Sequence, residues 1–156
     1  MNTLITLLTQ KSLTIAVAES CTGGNLSALL TSQSGSSAYF DRGFITYSNQ
    51  AKIDMLGVKS TTLDKFGAVS EQVALEMVHG VIQNSSADIG VAITGIAGPT
   101  GGTKTKPVGT VCFGFCINSE CTTTIQCFDG NRHGVVEQSV AFAVNALEKQ
   151  LSNNKL

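Results

Sequence analysis

Apolar side chains recur at helical spacing in several stretches, and short β-rich runs lie between them. Residues 2–10 put leucines and an isoleucine on one helical face. "SLTIAVA" then supplies a run of a length that suits an interior strand. After the loop "ESCTGG", the segment "GNLSALLTSQ" returns to helical spacing, so Thr22, Gly23 and Gly24 fall where a strand hands over to a helix amino terminus with free N–H groups. "SGSSAYF", which holds Ser36 and Ser37, reads as a turn into a short helical segment. "DRGFITYS" alternates like a strand that ends at Tyr47. "NQAKIDMLGV" is helical and stops at Gly57.

One short helix and one long helix follow, the long one opening at Ser70 with Glu71 in its first turn. "DIGVAITG" is a second interior strand, ending at Thr94 and Gly95. The glycine-rich loop "GIAGPTGGTKTKPVG" leads into the strand "TVCFGFCI", which pairs with "CTTTIQCF" as a hairpin through "NSE". A last amphipathic helix is capped by Asn131. This alternation predicts a three-layer α/β/α fold of class α/β, its sheet made mixed by the late hairpin, with residues 1–156 forming one domain. In such sheets ligands gather at loops after strand carboxyl ends, and "ESCTGG" and "GIAGPTGG" both hold that position.

Composition narrows the class of partner. With 42% apolar and only 13% charged residues, the chain has the make-up of a globular protein with a substantial core, not of a disordered segment. A formal net charge of -1, with no block of like charge, recommends neither nucleic acid nor an anionic membrane. A small molecule is the better expectation. The amino terminus lacks a basic leader and is interrupted by polar residues, so it reads as helix then strand, not as a signal peptide or membrane span, and a cytoplasmic protein is expected. There the five cysteines, Cys21, Cys112, Cys116, Cys121 and Cys127, are expected to be reduced. The four in "VCFGFCINSECTTTIQC" match no zinc spacing and read as buried structural thiols.

Reactive side chains crowd "ESCTGG". Ser20 is either a nucleophile or a small residue in a tight corner. Cys21 is a rival nucleophile that needs a base such as His79 or His133, neither of which has a carboxylate at suggestive spacing. Tyr47 and Lys52 in "TYSNQAK" offer a hydroxyl and an amine that can converge on a serine. Lysine is a poor base in water, about one molecule in 2,500 being neutral at pH 7, so desolvation must lower its pKa by roughly 2 to 3 units. Composition alone ranks Lys52 as a solvated helix lysine. The two glycine loops lack the Walker and dinucleotide fingerprints, yet together they can cradle a phosphate.

"AESCTGG", "GSSAYFDRGFITYSNQAKIDMLGV", "GAVSEQVALEM" and "AITGIAGPTGGTKTKPVGTVCFGF" together resemble the CinA carboxy-terminal domain family, over about Thr14 to Phe115 and more weakly to Arg132. The resemblance implies deamidation of nicotinamide mononucleotide to nicotinic acid mononucleotide and ammonia, with no metal or organic cofactor. It implies a serine nucleophile assisted by tyrosine and lysine, at positions that match Ser20, Tyr47 and Lys52. Oxyanion donors are expected near Thr22 to Gly24 or Gly35 to Ser37. Thr94, Gly95 and Arg132 are expected against ribose and phosphate. Relatives tend to carry a second arginine a turn beyond Arg132, where this chain has Val135 and Val136. The resemblance further implies the stand-alone form and a homo-oligomer, a dimer. The alternative is a catalytically idle paralogue that binds pyridine nucleotides as a sensor or partner protein.

Overall fold

In the computed structural model, which describes residues 2–153, the chain runs α1 (Asn2–Gln10), β1 (Ile15–Glu19), α2 (Asn25–Leu30), a single 3-10 turn (Ser36–Ala38), β2 (Phe40–Ile45), α3 (Asn49–Leu56), α4 (Ser60–Phe66), α5 (Glu71–Gln83), β3 (Ile89–Gly95), β4 (Thr110–Ile117), β5 (Glu120–Cys127) and α6 (Arg132–Asn153). The strands form one sheet in the order β2-β1-β3-β4-β5. β1 is parallel to both β2 and β3, whereas β3–β4 and β4–β5 are antiparallel, so the sheet is mixed.

Every residue of β1 is buried, because this central strand is covered on both faces. Ile15 and Val17 point into a core with Leu4 and Leu8 of α1, Leu26 and Leu30 of α2, and Val144 and Leu147 of α6. Ala16 and Ala18 point the other way, into a core with Leu56 of α3, Leu63 of α4 and Val73, Met77 and Val78 of α5. Full burial of one such large aliphatic side chain is worth about 1.5–3 kcal/mol, which is why the period-2 and helical patterns are so legible here. α5 lies close on β4 because Gly114 has no side chain: a Cβ there would stand 2.5 Å from the Ala74 carbonyl oxygen.

The topology creates a crevice. From β1 the chain crosses to β2 through α2 on one face, then from β2 to β3 through α3, α4 and α5 on the other. The carboxyl ends of β1, β2 and β3 lie level, Glu19 being paired with both Ile45 and Ile93, and the connections part company there.

Two expectations need correction. β2 ends at Ile45, where its partner β1 ends at Glu19, so Tyr47 lies in the loop beyond and not on the strand. The cysteines are not all free thiols. Asn118 and Ser119 both take positive φ (52° and 67°), and this two-residue turn pairs Ile117 with Glu120 and therefore Cys116 with Cys121. With Cα atoms 4.1 Å apart, Cys116 and Cys121 form a disulfide. Cys21 and Cys112 are buried free thiols, and Cys127 is exposed.

Candidate active site

Ser20 sits one residue beyond β1 and extends its ladder, its N–H donating to the Ile93 carbonyl at 2.9 Å. The chain then turns sharply into α2. Gly23 and Gly24 take φ of 55° and 104°, which is why the motif ends in two glycines. Glu19 fixes this turn from below. Its carboxylate is fully buried and accepts from the N–H groups of Gly24 (3.2 Å), Leu26 (3.0 Å) and Ser27 (2.8 Å) and from the Ser27 hydroxyl (2.8 Å). A negative charge at the head of α2 is electrostatically apt. It also means that the donors expected to serve an oxyanion at Gly24 are already engaged. The Cys21 N–H, next to Ser20, donates to no backbone carbonyl among the described residues and has only its own sulfur for a partner.

Lys52 arrives from the other face of the sheet. Ser48 caps α3, its hydroxyl accepting from the Ala51 N–H at 3.0 Å, and the first turn directs Lys52 inward. The side chain is 1% exposed, not the solvated lysine that composition suggests. Its Nζ donates to Ser20 Oγ at 2.9 Å and to the Thr46 carbonyl at 2.8 Å. Burial pulls the amine down from 10.5 to about 8, and the neighbouring Cys21 opposes that shift. Cys21 itself is pushed up to about 12, chiefly by burial. At neutral pH that thiol keeps its proton and is a poor nucleophile.

Tyr47 is 57% exposed at the mouth of the crevice. Its hydroxyl accepts from one guanidinium nitrogen of Arg132, and the other donates to the Gly98 carbonyl at 2.9 Å. Arg132, the first residue of α6, thereby ties the Tyr47 loop to the glycine-rich loop after β3. Thr94 is held by a hydrogen bond from its hydroxyl to the Ala68 carbonyl at 2.9 Å. In the glycine-rich loop, the N–H groups of Thr100 and Gly101 have no acceptor among the described residues.

These elements enclose a cavity of about 270 Å³. Ser20, Tyr47, Lys52, Thr94, Gly95 and Arg132 all line it. Thr22, Gly23, Gly24, Ser36 and Ser37 do not. Thr22 is buried behind the turn, where its hydroxyl finds no partner among the described residues, and Ser37 is exposed on the 3-10 turn. Asn49, Ala68 and Val69 are lining residues that the sequence did not single out, whereas Thr100 belongs to the expected "GIAGPTGG" loop. The signal for Glu19 was there, a carboxylate closing an apolar strand just before a helix. His79 and His133 lie outside the cavity, His133 pairing with exposed Glu137 at 3.1 Å, so no Cys21/His dyad is assembled. Val136 faces a neighbouring groove with Asn25, Asn131, His133 and the flank of Arg132.

Residues 1–151 match the family model described as the CinA C-terminal domain. The chain belongs to the CinA C-terminal domain family. Within it, the nicotinamide-nucleotide amidohydrolase PncC of Escherichia coli (strain K12) is 47% identical over 148 residues, covering 94% of this chain and 90% of that protein. A CinA-like protein of Chlorobium limicola is 61% identical over 108 residues, 69% of this chain and 25% of that longer protein. A crystal structure of the competence damage-inducible protein A (ComA) of Klebsiella pneumoniae superposes with a TM-score of 0.94 at 38% identity, over 97% of this chain and 94% of that one. The three-layer α/β architecture is therefore that of the CinA superfamily.

Proposed function

We propose that the chain is a nicotinamide-nucleotide amidohydrolase that converts nicotinamide mononucleotide to nicotinic acid mononucleotide and ammonia. Membership of the CinA family and 47% identity to a protein of that name support the reaction. The observation that carries the chemistry is the buried Lys52 Nζ, 2.9 Å from Ser20 Oγ, with its pKa drawn down to about 8.

In this reading neutral Lys52 accepts the Ser20 proton as Oγ bonds to the carboxamide carbon. The C–N bond then breaks, the proton passes to nitrogen, and ammonia leaves. Water adds to the resulting ester, returns a proton to Ser20 Oγ and releases the carboxylate. Tyr47, held by Arg132 at the cavity mouth, is the hydroxyl that relays the proton to the departing nitrogen. The Cys21 N–H, which no backbone carbonyl engages among the described residues, is the oxyanion donor this geometry favours. Free N–H groups at Thr100 and Gly101, with Arg132 nearby, suit the phosphate; Thr94 and Gly95 lie along the ribose. At about 270 Å³ the cavity lies just below the usual size of ligand pockets, roughly 300–1,000 Å³, which favours a mononucleotide over a dinucleotide.

The test is incubation with nicotinamide mononucleotide under an ammonia assay, with free nicotinamide as comparison. The mononucleotide should react far faster, because phosphate binding orients the carboxamide. Equal rates on the two, or none with either, would refute the assignment.

A further inference from the structure

At the opposite end of the sheet from Ser20 is a cluster that the amidase chemistry leaves unused. Cys116 pairs across the sheet with Gly90 near the start of β3, whereas Ser20 follows Glu19, which pairs with Ile93 near its end. Cys116 and Cys121 face each other on the side of the sheet that α5 covers, and α5 brings His79 over them. One ligand atom from each of His79, Cys116 and Cys121 lies within 4.8 Å of the others. The sequence conceals this grouping, because the histidine precedes the cysteine pair by 37 residues.

We propose that His79, Cys116 and Cys121 form a Cys₂His binding site for a zinc ion when the cysteine pair is reduced. Two thiolates and one imidazole are a ligand set that zinc prefers, at bond lengths of about 2.3 Å to sulfur and 2.0–2.1 Å to nitrogen. Tetrahedral zinc with such bonds needs its ligand atoms roughly 3.5–3.8 Å apart; the His79 nitrogen already lies within 4.8 Å of both sulfurs, which part to that spacing once the bond between them is reduced. Charge argues in the same direction. Cys116 is 1% exposed among apolar side chains, where an unpaired thiolate is unfavourable. Two thiolates on one Zn²⁺ leave no net charge. His79 is exposed, so the fourth position opens to water.

Occupancy is tied to redox state. Reduction of the disulfide by a phosphine consumes one water, converts the phosphine to its oxide and leaves two thiols. Zinc binding then displaces two thiol protons. The disulfide and the metal complex exclude each other, since both use the same sulfur electron pairs.

The full chain, reduced anaerobically with a phosphine, is titrated with Co²⁺ as a spectroscopic stand-in and then with Zn²⁺. A thiolate-to-cobalt charge-transfer band should grow to one ion per chain and be displaced by zinc. The band should be missing in the oxidised chain. His79→Ala and Cys121→Ser touch exposed or half-buried positions and should weaken binding by at least the ~10- to 100-fold that even an outer partner of a metal ligand is worth. Cys127→Ser, at the exposed free cysteine, should leave it unchanged. Amidase activity is not the readout, so failure here is separate from failure of the proposed function. Lack of a thiolate band in the reduced chain, or equal affinity in His79→Ala or Cys121→Ser, would overturn the site and leave the pair as a plain disulfide.

Discussion

Lys52 offers the sharpest test of the catalytic reading. A fall from 10.5 to about 8 raises the neutral fraction at pH 7 from about one in 3,000 to about one in 10, a gain of roughly 300-fold in competent base. The rate of ammonia release should therefore climb tenfold per pH unit below pH 7 and level off near pH 8. Lys52→Arg keeps a cation that cannot lose its proton and should cost roughly 10²- to 10⁴-fold in kcat, nearly as much as Lys52→Ala. The same depression has a thermodynamic signature of defined sign. Since the folded-state pKa lies below the unfolded one, charging a buried Lys52 opposes folding by about 3 kcal/mol below pH 8, and the penalty fades as pH rises towards 10.5. Lys52→Met should thus unfold at higher denaturant than wild type at pH 7, with the gap closing by pH 10.5. A rate flat from pH 6 to 9, or near-native kcat in Lys52→Arg, would make the lysine a fixed charge and remove it as base.

Ser20→Ala should abolish turnover whereas Cys21→Ala, losing a thiol that stays protonated, should keep most of it; the reverse pattern would make this a thiol enzyme. Arg132→Ala loses the contacts to Tyr47 and Gly98 and, in the proposed reading, the phosphate partner, so KM should rise about 10- to 150-fold, the range for charge-assisted hydrogen bonds. An unchanged KM would send the phosphate elsewhere. Glu19→Ala strips the acceptor from three backbone N–H groups and should lower stability by at least about 3 kcal/mol in urea unfolding. Amidase activity should survive EDTA, because the His79 cluster lies at the far end of the sheet; loss with recovery on zinc addition would contradict that.

The layers, strand types and helix caps were legible because each rests on local signals. Ser70 and Asn131 cap helices as their neighbours predict, and the alternation of buried faces follows the sheet. The environment of Lys52 was not legible. Nothing within "NQAKIDML" distinguishes a solvated lysine from one buried against β1, since the burial comes from packing between distant elements. The helix-terminus expectation overlooked local competitors, for Glu19 accepts from the Gly24 N–H and the Ser20 carbonyl from the Gly23 N–H. The disulfide escaped because it depends on register. Two positive-φ residues at Asn118 and Ser119, neither of them glycine, decide which cysteine faces which.

The parting of the chain around β1 bears on how such an enzyme can be tuned. The turn carrying Ser20 is anchored in the layer containing Leu26 and Val144, and the helix carrying Lys52 rests on the opposite layer through Leu56. Two mutationally separate adjustments result. Repacking around Leu26 would shift where Ser20 stands, whereas repacking around Leu56 would change how wet, and hence how basic, Lys52 is. A lineage adapting to a new amide or a new working pH can alter aim and proton affinity one at a time, with the sheet acting as a partition between them.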